Sequence, residues 1–298
     1  MKHGISNNTI EIPPTIGDAA QAVAKELKAS GVESSRLDAR LLVSHAAGVA
    51  PETYLTNPER ELDAAARDRI TGLMLRRMLR EPMSHILGER EFWSMAFDVT
   101  PDTLTPRPDT ECLVESVLTT IRKLGRTDDL SILDLGTGTG CILLALLSEL
   151  PGAHGLGIDI SADALCVAQQ NASRHGLDSR AEFKVGDWFA PVEGMFDVIV
   201  SNPPYIESND IVLLDPEVAK HEPWMALDGG PDGLMCYREI CSTASMFLDP
   251  EGVIALEVGS EQSGVVENIL IDSGFSAVRV QQDLAGRNRV VMATCPKL

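Results

Sequence analysis

Residues 131–147 read SILDLGTGTGCILLALL. A short strand-like run, Ile132–Leu135, meets glycine at every second position (Gly136, Gly138, Gly140) with Thr137 and Thr139 between them, and an apolar stretch follows from Cys141. The pattern predicts a strand, a tight loop and a helix. Glycines at such a turn let the backbone approach a ligand closely, with the helix N-terminus behind it.

Downstream of this stretch, strand-like and helix-like segments alternate. Strands are expected at Ile132–Leu135, Gly155–Ile160, Glu182–Val185, Val198–Ser201 and Val253–Val258, with two late strands at Ala277–Gln281 and Val290–Thr294. This alternation predicts an α/β fold with a doubly wound, mostly parallel sheet of the Rossmann-like kind. From Tyr205 to about Asp232 the chain is polar, proline-bearing and aperiodic, which predicts a long functional or disordered loop.

Upstream, the first ~80 residues show only helical spacing. TIGDAAQAVAKELKASG places Ile16, Ala19, Ala20, Val23 and Leu27 on one face and offers Gly31 as a stop. SSRLDARLLVSHAAG and ELDAAARDRITGLMLRRMLR repeat the pattern, and Pro82 is expected to end the last helix. REFWSMAFDVTPDTLTPRPDTE then brings Phe92, Trp93 and Phe97 in alternation, followed by prolines, and reads as a hairpin linker. The expected division is a helical domain over 1–88, a linker over 89–108 and an α/β domain over 109–298.

With 44% hydrophobic and 23% charged residues in 298, the chain reads as globular rather than disordered or fibrous. No apolar run approaches the ~18 residues of a membrane helix, and the N-terminus lacks the apolar stretch of a secretory signal, so a cytoplasmic protein without a membrane partner is expected. The six cysteines form no C-x-x-C pair, which predicts reduced, mostly buried thiols. The Asn-x-Ser/Thr matches at Asn7 and Asn171 carry no meaning in such a compartment. The net charge is −19, from 25 basic and 44 acidic residues. Phosphate neutralisation supplies most non-specific nucleic-acid affinity, so this balance argues against direct nucleic-acid binding and for a basic partner.

The ligand at the glycine loop is narrowed by two acids. Asp159 lies 19 residues past Gly140, at the tip of the second strand, where a carboxylate accepts from both hydroxyls of a ribose. At the third strand, Asp187-Trp188 puts an acid and a large apolar ring where an adenine would lie. The dinucleotide fingerprint G-x-G-x-x-G needs a third glycine at 141, which is Cys141; glycine falls at 140 instead. That spacing resembles the S-adenosylmethionine loop of class I methyltransferases.

The fourth strand, FDVIV, ends in Ser201-Asn202-Pro203-Pro204-Tyr205. A residue before proline is driven out of the α region, so Asn202 and Pro203 are held extended. The nitrogen of an amide or aromatic amine is a poor nucleophile, its lone pair delocalised. Two acceptors, the Asn202 side-chain carbonyl and the Pro203 backbone carbonyl, can take both hydrogens of one –NH₂ and aim its nitrogen at a methyl donor. Tyr205 can stack on the planar group. Neither a metal nor a covalent nucleophile is called for, because a sulfonium is already activated.

DLGTGTG, IDIS and SNPPY together resemble the amide- and amino-methylating class I methyltransferases. PMSHILGEREFW, LTPRPDTE, HEPWMALDGGPDGL and AGRNRVV resemble one branch, the peptide release factor glutamine N5-methyltransferases, over Pro82 to Val291. The resemblance implies methylation of the glutamine in the Gly-Gly-Gln loop of peptide chain release factors, with S-adenosylhomocysteine as product. It implies cofactor contacts from Gly136 to Gly140, Asp159, Trp188 and Asn202, and substrate contacts from Asn202 to Tyr205. Arg107 falls at the family's active-site edge; its plainer reading is an ion pair with Asp109 or Glu111. Thr105 stands where a branched apolar residue is expected. The helical domain and the segment after Tyr205 are candidates for gripping a basic protein substrate. Three other readings stay open: a ribosomal-protein glutamine methyltransferase, an adenine-N6 DNA methyltransferase, which would need base flipping and a basic groove, and a non-catalytic module that keeps the fold.

Overall fold

The computed structural model describes residues 11–126 and 129–295; Asn7 lies outside them. The chain divides between Leu87 and Gly88 into two compact units.

The first unit is helical among its described residues: α1 (Ile16–Ala29), α2 (Ser35–Ala47), α3 (Thr53–Thr56), α4 (Ala64–Met78) and α5 (Met83–Leu87). Thr15 caps α1 by accepting from Asp18 N at 3.3 Å, and Asp63 caps α4 by accepting from Ala66 N at 2.6 Å. Ile16, Val23, Leu27, Leu42, Val43, Ile70 and Met74 are fully buried in one core, each worth about 1.5–3 kcal/mol relative to exposure. The Asp38 carboxylate, buried beside them, accepts from Arg77 Nε at 2.8 Å and Ser34 Oγ at 2.8 Å. Pro82 does not end the long helix. That helix stops at Met78, and Pro82 instead opens α5, its carbonyl accepting from His85 and Ile86 N.

The second unit opens with a hairpin, β1 (Glu89–Phe92) antiparallel to β2 (Met95–Asp98). Its two-residue turn puts Trp93 and Ser94 at φ +52° and +56°, the left-handed pair a tight hairpin needs. The Trp93 backbone is held there by donation to Glu111 Oε1 at 2.9 Å. There follow α6 (Glu111–Lys123), β3 (Ser131–Leu135), α7 (Cys141–Glu149), β4 (His154–Asp159), α8 (Ala162–Arg174), β5 (Ala181–Val185) and β6 (Phe196–Ser201). The chain continues through α9 (Pro216–His221), α10 (Met235–Ala244), β7 (Leu248–Glu257), α11 (Ser263–Asp272), β8 (Ser276–Gln282) and β9 (Asn288–Thr294).

Among the described residues the sheet has seven strands in the order β5-β4-β3-β6-β7-β9-β8. β3 to β7 pair in parallel; β9 slots antiparallel between β7 and β8. Successive strand residues alternate between two cores. Val198, Val200, Val253 and Ala255 enter the core built on α6 and α7, while Ile199, Ile254 and Leu256 enter the one built on α10 and α11. β3 and β6 lie side by side at the centre, so the glycine loop and the Asn-Pro-Pro-Tyr corner leave the same sheet edge as neighbours.

The segment after Tyr205 is folded. It holds two 3₁₀ turns (Ile211–Leu213, Trp224–Ala226) and α9, and closes on itself through Ile206 N to Leu227 O at 3.1 Å and Gly229 N to Ile206 O at 2.8 Å. Helical turns this short carry no periodicity to read.

Candidate active site

Gly136, Gly138 and Gly140 sit at φ +71°, +54° and +79°, a succession of left-handed residues that no other side chain adopts without strain. Gly136 N and Thr137 N both donate to Ile158 O, at 2.8 and 2.9 Å, locking the loop to β4. The Thr137 hydroxyl turns inward and donates to Asp134 Oδ2 at 2.6 Å. Thr139 also faces inward, and its carbonyl accepts from the buried Asn171 side chain at 3.0 Å. Asn171 also clasps the Asp98 backbone, accepting from its N–H at 2.7 Å and donating to its carbonyl at 3.1 Å, so this sequon residue is a structural tie.

A cavity of about 600 Å³ opens at the carboxyl edge, lined by Gly136, Gly138, Asp159, Asp187, Trp188, Asn202 and Pro204 among others. Seven of the residues expected at the site thus line one cavity. Thr137, Thr139, Gly140, Pro203, Tyr205 and Arg107 are not part of the lining. Pro101–Leu104, Pro223–Ala226, Met235 and Cys236 also line the cavity. Leu104 and Pro223–Ala226 belong to the LTPRPDTE and HEPWMALDGGPDGL motifs, whereas Pro101–Thr103, Met235 and Cys236 carry no motif-like signal and are brought in by the fold.

Asp159 is braced from both sides. Its Oδ2 accepts from Gly138 N at 2.8 Å and its Oδ1 from Ser161 N at 3.0 Å, while Ser161 Oγ itself caps α8 by accepting from Ala164 N at 3.1 Å. Burial raises its pKa despite these bonds. Trp188 is held at φ +46°, and its ring lies 3.8 Å from where a Cβ on Gly136 would stand. A glycine floor, an aromatic wall and a fixed carboxylate fit a nucleoside with an attached sulfonium amino acid. The donor set suits its ribose and base.

The corner is held by distant residues. Ser201 Oγ donates to Leu135 O at 2.7 Å, and Asn202 Nδ2 donates to Thr110 Oγ1 at 3.3 Å. Gln262 Nε2 donates to Tyr205 O at 2.9 Å and to Gly233 O at 3.2 Å, and its own Oε1 accepts from Gly259 N at 3.2 Å. Gly233 explains the last glycine of DGGPDG: at φ +68°, a Cβ there would sit 2.5 Å from Tyr205 O. Gly233→Ala is expected to cost about 2–3 kcal/mol of stability, read as a lower Tm in thermal unfolding; an unchanged Tm would contradict this packing.

The flanking motifs converge around Tyr205. Arg107 Nη2 pairs with Glu222 Oε2 at 2.6 Å, not with Asp109 or Glu111. The Pro108–Thr110 turn sends Asp109 the other way, to Arg289 at 2.9 Å and Arg287 at 3.7 Å, while Glu111 is taken by Trp93 N. PRPD is therefore tied to HEPW through Arg107–Glu222 and to AGRNR through Asp109, which pairs with both Arg289 and Arg287. Thr105, where an apolar residue was expected, hydrogen-bonds Glu222 through both its side chain and its backbone. Burial pushes the Tyr205 phenol up to about 12, so it stays protonated.

Two buried carboxyls have pKa values raised by desolvation to about 7: Asp134 from 3.8, despite its Thr137 bond, and Glu257 from 4.5. A raised folded-state pKa favours the protonated form, so this stabilisation is complete below about pH 4 and is lost as pH climbs through about 7. Thermal stability is therefore expected to fall between about pH 5 and 8, with part of the fall absent in Glu257→Gln. A Tm that rises across that window would contradict the assignment.

Two family models match: PrmC N-terminal domain over residues 18–88 and methyltransferase domain over residues 126–276. The release factor glutamine methyltransferase of Rhodospirillum rubrum is 48% identical, covering 91% of this chain and 82% of its own length. That of Caulobacter vibrioides is 44% identical, covering 93% and 96%. The chain belongs to the release factor glutamine methyltransferase family. A Thermus thermophilus 16S rRNA N2 G1207 methyltransferase shares the fold, with a TM-score of 0.50 at 21% identity over 69% of this chain and 49% of that one. Membership makes the second unit a class I methyltransferase and the chain an enzyme rather than a binding module. Among the described residues, no helix is long and apolar enough to cross a membrane.

Proposed function

We propose that this enzyme acts in the cytoplasm, transferring a methyl group from S-adenosylmethionine to the side-chain N5 of the glutamine in the Gly-Gly-Gln loop of peptide chain release factors. The observation that carries the substrate is 48% identity to a protein of that name across 91% of this chain. The ribosomal-protein and adenine readings find no comparable support.

Gly136 to Gly140, Asp159, Asp187 and Trp188 would hold the cofactor: the loop backbone beneath it, Asp159 on the ribose hydroxyls, Asp187 and Trp188 beside the adenine. When bound, S-adenosylmethionine supplies an electrophilic methyl on a sulfonium and leaves as S-adenosylhomocysteine. Asn202 Oδ1 and the Pro203 carbonyl accept the two N–H hydrogens of the glutamine amide. They fix the nitrogen's direction and favour the positive charge that develops on it, which is discharged when one N–H proton passes to water to leave the neutral N-methyl amide. Pro203 and Pro204 keep these acceptors from relaxing into a helix. Tyr205, its backbone clamped by Gln262, limits the tilt of the amide plane and helps exclude water. Arg107, oriented by Glu222, is assigned to the substrate side, and the helical first unit to recognition of the release factor. A net charge of −19 suits a basic protein partner.

Incubation of intact release factor with the enzyme and methyl-labelled S-adenosylmethionine is expected to label the release factor. Absence of label on the release factor, with label instead on ribosomal protein or unmethylated duplex DNA, would overturn the reading.

A further inference from the structure

Glu257 ends β7 only 1% exposed, and methyl transfer as set out above gives its carboxyl no part. Among the described residues its Oε2 has no hydrogen-bond partner. The Thr110 side chain, 2% exposed, hydrogen-bonds this carboxyl, and the same hydroxyl oxygen accepts from Asn202 Nδ2 at 3.3 Å. Carboxyl, hydroxyl and amide thus form a shielded row whose last member lines the cavity.

A hydroxyl carries one proton, an ionised carboxylate can only accept, and an amide has a donor end and an acceptor end. With Glu257 ionised, Thr110 must give its proton to Glu257. Its oxygen is then left to accept, so Asn202 must turn its NH₂ toward Thr110 and its Oδ1 away. We propose that Glu257, acting through Thr110, is a positioning residue that sets which end of the Asn202 amide faces the substrate, and that protonation of Glu257 releases this constraint. A protonated Glu257 can donate to Thr110, whose own proton is then free to meet Asn202. The amide can turn over and present N–H to a substrate that itself offers N–H. The proposal deepens the functional reading above and rests on it for the role of Asn202 Oδ1.

Other ionisable groups surround the row. The turn before α6 brings Asp109 and Arg107, β9 brings Arg289, and the corner brings Tyr205. From α10 the Tyr237 hydroxyl donates to Glu257 O at 2.9 Å, and α6 and α7 bring Cys112 and Cys141. The arginines oppose protonation of Glu257 and Asp109 favours it, while burial dominates and brings the carboxyl to about 7. Asp134 titrates in the same range, so a pH profile must be read against variants.

The test follows the ¹⁵N side-chain amide of Asn202 in the full chain, assigned by its loss in Asn202→Asp, across about pH 5.5 to 8.5. In the wild type its shift is expected to inflect near 7. The inflection is expected to vanish in Glu257→Gln and Thr110→Val and to survive in Thr110→Ser. In release factor methylation, wild-type kcat is expected to fall about tenfold toward acid, with KM changed less than about twofold. Glu257→Gln, whose amide can donate to Thr110, is expected to stay at the low plateau throughout. An Asn202 resonance indifferent to pH, or an inflection persisting in Glu257→Gln, would overturn the proposal. Thr110→Val leaves the carboxyl in place and keeps the test open where Glu257→Gln misfolds. An inflection that depends on Glu257 in an enzyme that leaves release factor unmethylated would uphold the row and sink the functional reading.

Discussion

Asn202→Ala is expected to lower kcat by about 10²–10³-fold while leaving the affinity for S-adenosylmethionine within about twofold. The asymmetry follows from position. In the proposed site the glycine loop, Asp159 and Trp188 form the cofactor's floor and wall, and none of them depends on the Asn202 side chain for its own bonds. The Asn202 amide meets Thr110 on one side and the cavity on the other. In the proposed mechanism, removing it deletes one of the two acceptors that orient the reacting nitrogen, an interaction that strengthens as charge develops. Single-turnover methylation with saturating cofactor, beside calorimetric titration of the cofactor, separates the two quantities. Unchanged turnover would contradict the role assigned to the corner.

The second large effect is expected at Asp159. Asp159→Ala removes the acceptor for the ribose hydroxyls and at the same time unties Gly138 N, which the carboxylate holds at 2.8 Å. Hydrogen bonds to a charged group are worth about 1.5–3 kcal/mol each, so the cofactor dissociation constant is expected to rise by about 10²-fold in calorimetry. The expected order of variants is Ala worst and Asn intermediate, because an amide oxygen keeps one acceptor for the loop or the ribose but not both. An affinity within twofold of wild type in Asp159→Ala would contradict both the ribose contact and the loop tie.

Much of this could be read before the fold was known, for local reasons. Apolar runs located all seven strands of the main sheet, most sharply β3, β4 and β6, whose buried parallel residues read as continuous apolar segments; β7 begins at Leu248, five residues before the expected Val253. The glycine loop and the Asn-Pro-Pro-Tyr corner were legible because each needs backbone geometry that only glycine or proline supplies. What could not be read was pairing at a distance. Arg107, read at the active-site edge with Asp109 or Glu111 as the partner in its plainer reading, meets Glu222, 115 residues on. Thr105 looked like a flaw in an apolar position and proves to hydrogen-bond that same glutamate. Gln262, which clamps the corner, lies in an unremarkable turn after β7. The hairpin's turn was hidden because Trp93-Ser94 lacks the Asn-Gly that normally marks two left-handed residues. The ordered turns between Tyr205 and Asp232 are too short for any period to show.

The central claim is that the corner aims a glutamine amide at an activated methyl. Tandem mass spectrometry of a release factor incubated with enzyme and S-adenosylmethionine tests it most directly, with Asn202→Ala enzyme run in parallel. One methyl on the side-chain nitrogen of the Gly-Gly-Gln glutamine, present with wild-type enzyme and nearly absent with the variant, is the expected result. A methyl on any other residue, or an equal yield from both enzymes, would contradict it.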